Sequence, residues 1–189
     1  RPPRSTLFPY TTLFRSATKK SVEVLEVEKN DENIEIFYNL MIETTKRDGF
    51  SWNNFNYYKS FLNIIPNSSL IFTKIWDKIL SAWIFVFDKN ISIYYYWAST
   101  SDKKFRNLMA PYLMQWYAIK KAINLWSNYY DFLGVSTPWD KKSPLIWVTD
   151  FKLKFTSEVK KVSDSYIFIN KKIKYFLIKV IKYLKNILK

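Results

Sequence analysis

The chain of 189 residues contains no cysteine and no histidine. That removes thiol and imidazole nucleophiles, an imidazole base, Cys/His zinc sites and every disulfide. It suits a reducing compartment. Any catalysis must use carboxylates, lysine, tyrosine, hydroxyls, backbone dipoles or the substrate itself. Glycine is nearly absent, with two residues, so tight turns fall to Asn, Asp, Lys and Ser. Long apolar runs are missing too. The best, Ile79 to Phe87, stops at Asp88, short of the ~18–20 residues a bilayer requires, and reads as a buried strand. No basic region followed by an apolar one opens the chain, so no signal peptide is visible.

The chain is rich in material for a core. Hydrophobic residues make up 48% and aromatic ones 20%, ample for one packed domain with an appendage. The formal charge of +14 favours polyanionic partners such as nucleic acid, anionic lipid or phosphorylated precursors. A solvated lysine-rich face is the other reading, and charge alone does not choose.

The opening stretch, residues 1–16, has neither a helical period nor alternation. It resembles a translated sequencing adapter fused to an open reading frame and is set aside from the fold. On that reading the natural chain extends further upstream of Ala17.

From there, Val22, Val24 and Val27 alternate with acids, as in a strand. Asp31 can cap a helix reaching Lys46, and a second helix spans about 54–65, ended by Pro66-Asn67-Ser68. Three strands follow at 69–76, 80–87 and 91–98, joined by polar turns into a meander. The apolar spacing then predicts one long, well-buried helix from Asp102 to Trp126. A strand at 129–134 and a loop with Pro138 and Pro144 lead to a short helix at 145–155. An extended stretch covers 158–169, and a last helix fills 170–188. The order predicts an α+β fold with a mixed central sheet flanked by helices, as in GNAT acyltransferases. The expected organisation is a leader 1–16, a GNAT-like domain 17–169 and a C-terminal helix 170–189.

Four stretches carry a more specific resemblance. The first is Phe37, Leu40, Thr44, Arg47 and Phe50, spaced as F-x-x-L-x-x-x-T-x-x-R-x-x-F, with Tyr57-Tyr58 beyond. The second is Tyr95-Tyr96-Trp97-Ala98-Ser99. The third is Met109-Ala110-Pro111-Tyr112-Leu113-Met114-Gln115-Trp116, then Tyr130-Asp131-Phe132-Leu133-Gly134. The fourth is Pro144-Leu145 with Phe151-Lys152 and Phe155. In this order they resemble the FemAB/FemX family of peptidoglycan bridge-forming aminoacyltransferases. The chain departs from that family at Trp97, Trp147, Lys154 and Thr156, where glycine is usual. Bulky residues there imply an altered pocket.

The resemblance implies transfer of an amino acid from aminoacyl-tRNA to a lipid-linked or UDP-linked muropeptide, in the cytoplasm or at the inner membrane face. It implies no cofactor and no metal. Family members carry two GNAT-like domains, and the resemblance covers the second, so a first domain is expected to be missing. Aligning an activated ester with an amine and stabilising an oxyanion needs neither Cys nor His. In a GNAT sheet the fourth and fifth strands splay; here the gap is expected between 96–99 and 130–134. Lys152 is expected near the reacting centre, as a cation for the tRNA end or the oxyanion. Asp131 can orient the attacking amine, or simply cap a turn. Phe151 is a platform for a terminal base or part of the core. Tyr96 and Tyr130 can donate into the gap or pack. Lys103, Lys104 and Arg106 surround the expected start of the long helix, where amides and cations together favour phosphate.

Two other functions remain open. A CoA-dependent N-acyltransferase would show a glycine-bearing phosphate loop, and Ser99–Arg106 has no glycine. A basic RNA- or membrane-binding module would need no active site. The last helix bears an apolar stripe (Ile173, Phe176, Leu177, Val180, Ile181, Leu184) among seven lysines. It suits packing on a missing domain, an anionic membrane or tRNA.

Overall fold

The computed structural model describes residues 17, 19–136, 143, 146–161, 163 and 166–187. The leader 1–16, Pro138, Pro144, Leu145, Asp164 and Leu188 lie outside the described residues. Contacts divide the chain into two units, Arg1–Ser157 and Glu158–Lys189.

In the first unit, strand β1 (Glu23–Val27) precedes helices α1 (Asp31–Asp48) and α2 (Phe55–Ile64). Strands β2 (Ser68–Ile75), β3 (Lys78–Val86) and β4 (Ile91–Ser99) follow as the expected meander. Helix α3 (Ala110–Asn124), strand β5 (Tyr129–Asp131) and helix α4 (Ile146–Lys152) complete it. The sheet runs β1-β2-β3-β4-β5; the first three pairings are antiparallel and β4–β5 is parallel. In the second unit, helix α5 (Lys172–Ile187) carries the lysine-rich apolar stripe.

Several expectations need correction. Asn30, not Asp31, caps α1, its side chain accepting from Asn33 N at 2.9 Å. The single helix expected from Asp102 is two pieces, a 3-10 helix Lys103–Leu108 and then α3, with Met109 left-handed between them at φ 56. Pro111 in the first turn of α3 explains the break: a helix running through it would drive the ring into the carbonyl of Asn107. The fifth strand is three residues, Tyr129–Asp131. Among the described residues of 158–169 there is no strand.

Each sheet face has its own core. On one, Ile34 and Phe37 of α1 and Tyr58 and Leu62 of α2 pack against Leu70, Phe72, Ala82, Ile84 and Ala98. On the other, Met114, Ala118 and Ala122 of α3 cover Ile71, Trp83, Phe85, Phe87 and Tyr94. Burying such a large side chain contributes about 1.5–3 kcal/mol each.

The β3–β4 register slips once: Phe85 faces Tyr94 and Ile84 faces Tyr96, leaving Tyr95 as the extra residue of a β-bulge. The bulge resets the alternation of side chains. Tyr94 and Trp97 therefore look toward α3, whereas Tyr96 and Ala98 look toward α1 and α2.

Helix α1 closes the end of β4. Thr44 Oγ1 donates to Ser99 O (3.0 Å) and accepts from Ser99 N (2.8 Å), and the Arg47 guanidinium donates to Ser99 O and Thr100 O. Thr44 is fully buried. Replacing it by valine keeps the shape and strands the part-buried main-chain N–H of Ser99, while the Ser99 carbonyl keeps only the Arg47 guanidinium. Thr44→Val is expected to lower stability by about 1–3 kcal/mol, read as a shifted urea midpoint; an unshifted midpoint would contradict this role.

Candidate active site

Strand β4 runs beside β5 for three residue pairs only: Ile91↔Tyr129, Ser92↔Tyr130 and Ile93↔Asp131. Beyond Ile93 its remaining residues, Tyr94 to Ser99, have no β5 partner. The β5 side leaves through Asp131, whose Oδ1 accepts from Leu133 N at 2.6 Å, closing a turn with Leu133 at φ 59. Tyr130 is anchored elsewhere, its hydroxyl donating to Gln115 Oε1 of α3 at 2.6 Å. The two strands thus form a fork. Thr100 N returns to Leu80 O of β3, so by the alternation of an antiparallel ladder Trp97 turns its main-chain N–H and C=O to the open side.

Lys152, the last residue of α4, reaches the apex of this fork. Its Nζ donates to Gly134 O at 2.8 Å and stands 5.7 Å from the centroid of Tyr94, the first residue of β4 without a β5 partner. The side chain is buried. Burial pulls its pKa down from 10.5 to about 8, and the Asp131 carboxylate pulls part of the way back up. At neutral pH the group is still mainly a cation, held where water is scarce and its field is little screened.

Next to the fork lies a cavity of about 710 Å³. Trp83, Tyr94 and Trp97 of the sheet form one side of it. Arg106, Met109, Ala110, Pro111 and Tyr112 line it where the 3-10 helix meets α3, and Trp147, Asp150 and Phe151 come from α4. Neither Lys152 nor Asp131 is on its wall. Among the described residues, the buried Trp83 Nε1 and Gln115 Nε2 have no acceptor.

The other predicted residues separate. Phe151 is half-buried and packs edge-on against Trp83, Tyr112 and Phe155, a core position that also touches the cavity. Tyr96 points to the opposite sheet face. Its hydroxyl meets Tyr57 Oη at 2.8 Å and its pKa rises, first through burial and then through that partner. Tyr130 also titrates well above its usual value through burial. Arg106 lines the cavity; Lys103 and Lys104 are exposed and do not.

The amides near Asp102 are already occupied. Ser101 N donates to Glu43 Oε1, Asp102 N to Thr100 Oγ1 (3.2 Å) and Lys104 N to Asp102 Oδ1 (3.0 Å). Two of these acceptors are carboxylates, so this loop repels phosphate at its main chain and offers it only side-chain cations. The broken helix is the cause: α3 starts at Ala110, not at Asp102.

Sequence reasoning flagged Trp97 and Trp147 only as bulky residues that alter the pocket, and did not single out Asp150 as a site residue or Thr44 and Gln115 as positioning groups. Thr44 and Gln115 do stand in the motifs quoted above. Among the described residues no group of His, Cys, Asp or Glu can hold a metal ion, and no helix is long and apolar enough to cross a membrane.

The FemAB family model matches residues 11–75 and 70–183. No curated protein matches the sequence. Among solved structures the chain is similar to FemX, at 20% identity and a TM-score of 0.66, over 75% of this chain and 51% of that one. It is also similar to a possible acetyltransferase from Clostridium difficile 630, at 9% identity and a TM-score of 0.56, over 79% and 99%. An aminoglycoside acetyltransferase from an uncultured soil metagenomic sample matches at 12% identity and a TM-score of 0.51, over 79% and 97%. Such identities speak for the fold alone: a GNAT-like α+β fold with a mixed five-stranded sheet flanked by helices. The chain spans about half the length of FemX.

The depressed pKa of Lys152 has a thermodynamic consequence. Unfolded, the lysine keeps its proton to about 10.5; folded, it releases it near 8. Between these values the unfolded chain binds more protons, so this group makes stability rise with pH across that window. In Lys152→Met, urea-derived stability is expected to rise less between pH 8 and 10.5 than in the parent chain. Parallel curves would contradict the burial of this cation.

Proposed function

The chain belongs to the FemAB family, and on that premise we propose that it serves an aminoacyltransferase. The reaction moves an amino acid from aminoacyl-tRNA to the peptide stem of a peptidoglycan precursor. An amine of the stem attacks the carbonyl of the ester that joins the amino acid to the terminal ribose. The new C–N bond replaces the C–O bond, and the proton lost by the amine ends on the departing ribose oxygen. The ester supplies the driving force, so the protein has to align the two reactants and stabilise one oxyanion.

The observation that carries this reading is the fork. It leaves the main chain of Trp97 turned to an open side and sets a buried cation, Lys152, at its apex. An N–H donor and a fixed charge in a water-poor place are what a tetrahedral oxyanion requires. In this reading Lys152 serves the oxyanion, and Asp131 positions it: the carboxylate supports the cation while its Oδ1 holds the turn at Leu133. Lys103, Lys104 and Arg106 draw in tRNA phosphates through side-chain charge. The peptide acceptor, lipid-linked or UDP-linked, is held largely by a further domain of the whole enzyme.

The occupied amides at Ser101, Asp102 and Lys104 weigh against a CoA-dependent acyltransferase on the same fold. A pyrophosphate needs such main-chain donors free, and here Glu43 and Asp102 already take them with like charge.

The test is transfer of a labelled amino acid from charged tRNA to a muropeptide by the complete gene product. Lys152→Ala is expected to lower kcat by roughly 100- to 1,000-fold, the usual loss for an oxyanion-stabilising group, with tRNA affinity changed far less. Equal losses in both would remove Lys152 from the reacting centre; acetyl-CoA turnover without tRNA-dependent transfer would overturn the function.

A further inference from the structure

The cavity beside the fork has a composition that a peptide or hydrocarbon ligand does not explain. Trp97 and Trp147 meet in it edge to face, with ring centroids 5.5 Å apart and planes at 75°. Two rings at that angle make a corner: a third planar ring can stack on one and meet the other edge-on. Trp147 offers the floor, being 47% exposed. Trp97 is the wall, and its ring also meets Phe50, with centroids 6.2 Å apart.

Two polar groups that share the cavity with this corner bear on its ligand. Asp150 follows Trp147 by three residues on α4, so both project from the same side of that helix, and both line the cavity. Its carboxylate is an acceptor only. Arg106, an exposed cation, lines the same cavity. The remaining acids are engaged: Asp48 with the Arg47 guanidinium, and Asp102 with Lys104 N. A flat apolar corner, an acceptor beside it and a cation in the same cavity match the chemistry of a nucleotide. The base stacks, and the phosphate meets the arginine. The acceptor adds selectivity, because it favours a base with an exocyclic amine over one with a carbonyl at that edge.

We propose that Trp147, Trp97 and Asp150 form a stacking slot for the terminal adenosine of an RNA acyl donor, with Arg106 holding an adjoining phosphate. This rests on the function proposed above and adds what that function leaves open: which side chains hold the donor's last base, and that the slot prefers an amino base. Phe151 is not the platform, because it is wedged among Trp83, Tyr112 and Phe155.

The experiment is equilibrium binding to the full chain of a 5′-fluorescein oligonucleotide ending in CCA-3′, with AMP, IMP, ribose 5-phosphate and CoA as competitors. Stacking on one ring is worth roughly 5- to 100-fold in affinity. AMP is therefore expected to compete at least that much better than ribose 5-phosphate. It should exceed IMP, which lacks the amine, by roughly fivefold. Trp147→Leu should abolish the advantage of AMP over ribose 5-phosphate, while Trp147→Phe, which keeps a ring, should retain most of it. Asp150→Asn should erase the AMP–IMP difference without weakening ribose 5-phosphate.

Loss of affinity for all competitors alike in Trp147→Leu, or an AMP–IMP difference untouched by Asp150→Asn, would overturn the slot. So would CoA binding more tightly than the oligonucleotide. The binding assay involves no transfer, which separates the two proposals. Base-selective binding without transfer would leave the slot and remove the function, whereas normal transfer by Trp147→Leu would leave the function and remove the slot.

Discussion

Strand β4 loses its parallel neighbour after Ile93, and the rest of the site follows from how that separation is held. A sheet left to itself would keep pairing, because each open backbone group forfeits a hydrogen bond. Three local devices hold the strands apart. The bulge at Tyr95 turns β4 where pairing stops. The Tyr130 hydroxyl binds β5 to Gln115 of α3, and the Asx turn at Asp131 bends the chain away within two residues. The far end of β4 is then closed by Thr44 and Arg47 of α1, which satisfy Ser99 and Thr100. Only a short stretch, around Trp97, is left facing the opening.

That arrangement gives a physical sense to the spaced motif in α1. Phe37 packs in the core, Thr44 and Arg47 fasten the end of β4, and Phe50 leans on Trp97. One helix face therefore links the core to the site. Lys152 shows the same economy. Its Nζ is bonded to Gly134 O beyond β5 and stands over Tyr94 of β4, so a single buried cation joins both limbs of the fork. Burial weakens its hold on the proton, and Asp131 partly restores it, which leaves a charge that is present at neutral pH and poorly screened.

Much of this was visible in the residues. The strand meander, the helices and the start of the fifth strand at Tyr129 came from periodicity and turn chemistry, although that strand ends at Asp131 and not at Gly134. The expectation of a gap between 96–99 and 130–134 came from the resemblance to GNAT sheets; the strands part already after Ile93. What stayed hidden has definite causes. The bulge falls within Tyr94-Tyr95-Tyr96, where identical residues conceal which one is extra. The break at Met109 was masked because Leu108, Met109 and Leu113 keep an apolar rhythm straight through it; Pro111 was the signal that should have prevailed. Asn30 and Asp31 are adjacent cap-formers, and sequence alone does not rank them. The extended stretch expected at 158–169 has no partner ladder among its described residues, and a strand needs one. The Trp97–Trp147 corner joins residues from a strand and a helix far apart in sequence, a contact no local pattern reports.

The central claim is that β4 runs open beyond Ile93, and residue-resolved amide hydrogen exchange tests it most directly. The Trp97 amide should exchange orders of magnitude faster than those of Tyr96 and Ala98, its neighbours on a strand buried between two helical layers. Exchange at Trp97 as slow as at these neighbours would mean that another strand continues alongside, and the account of the fork would fall.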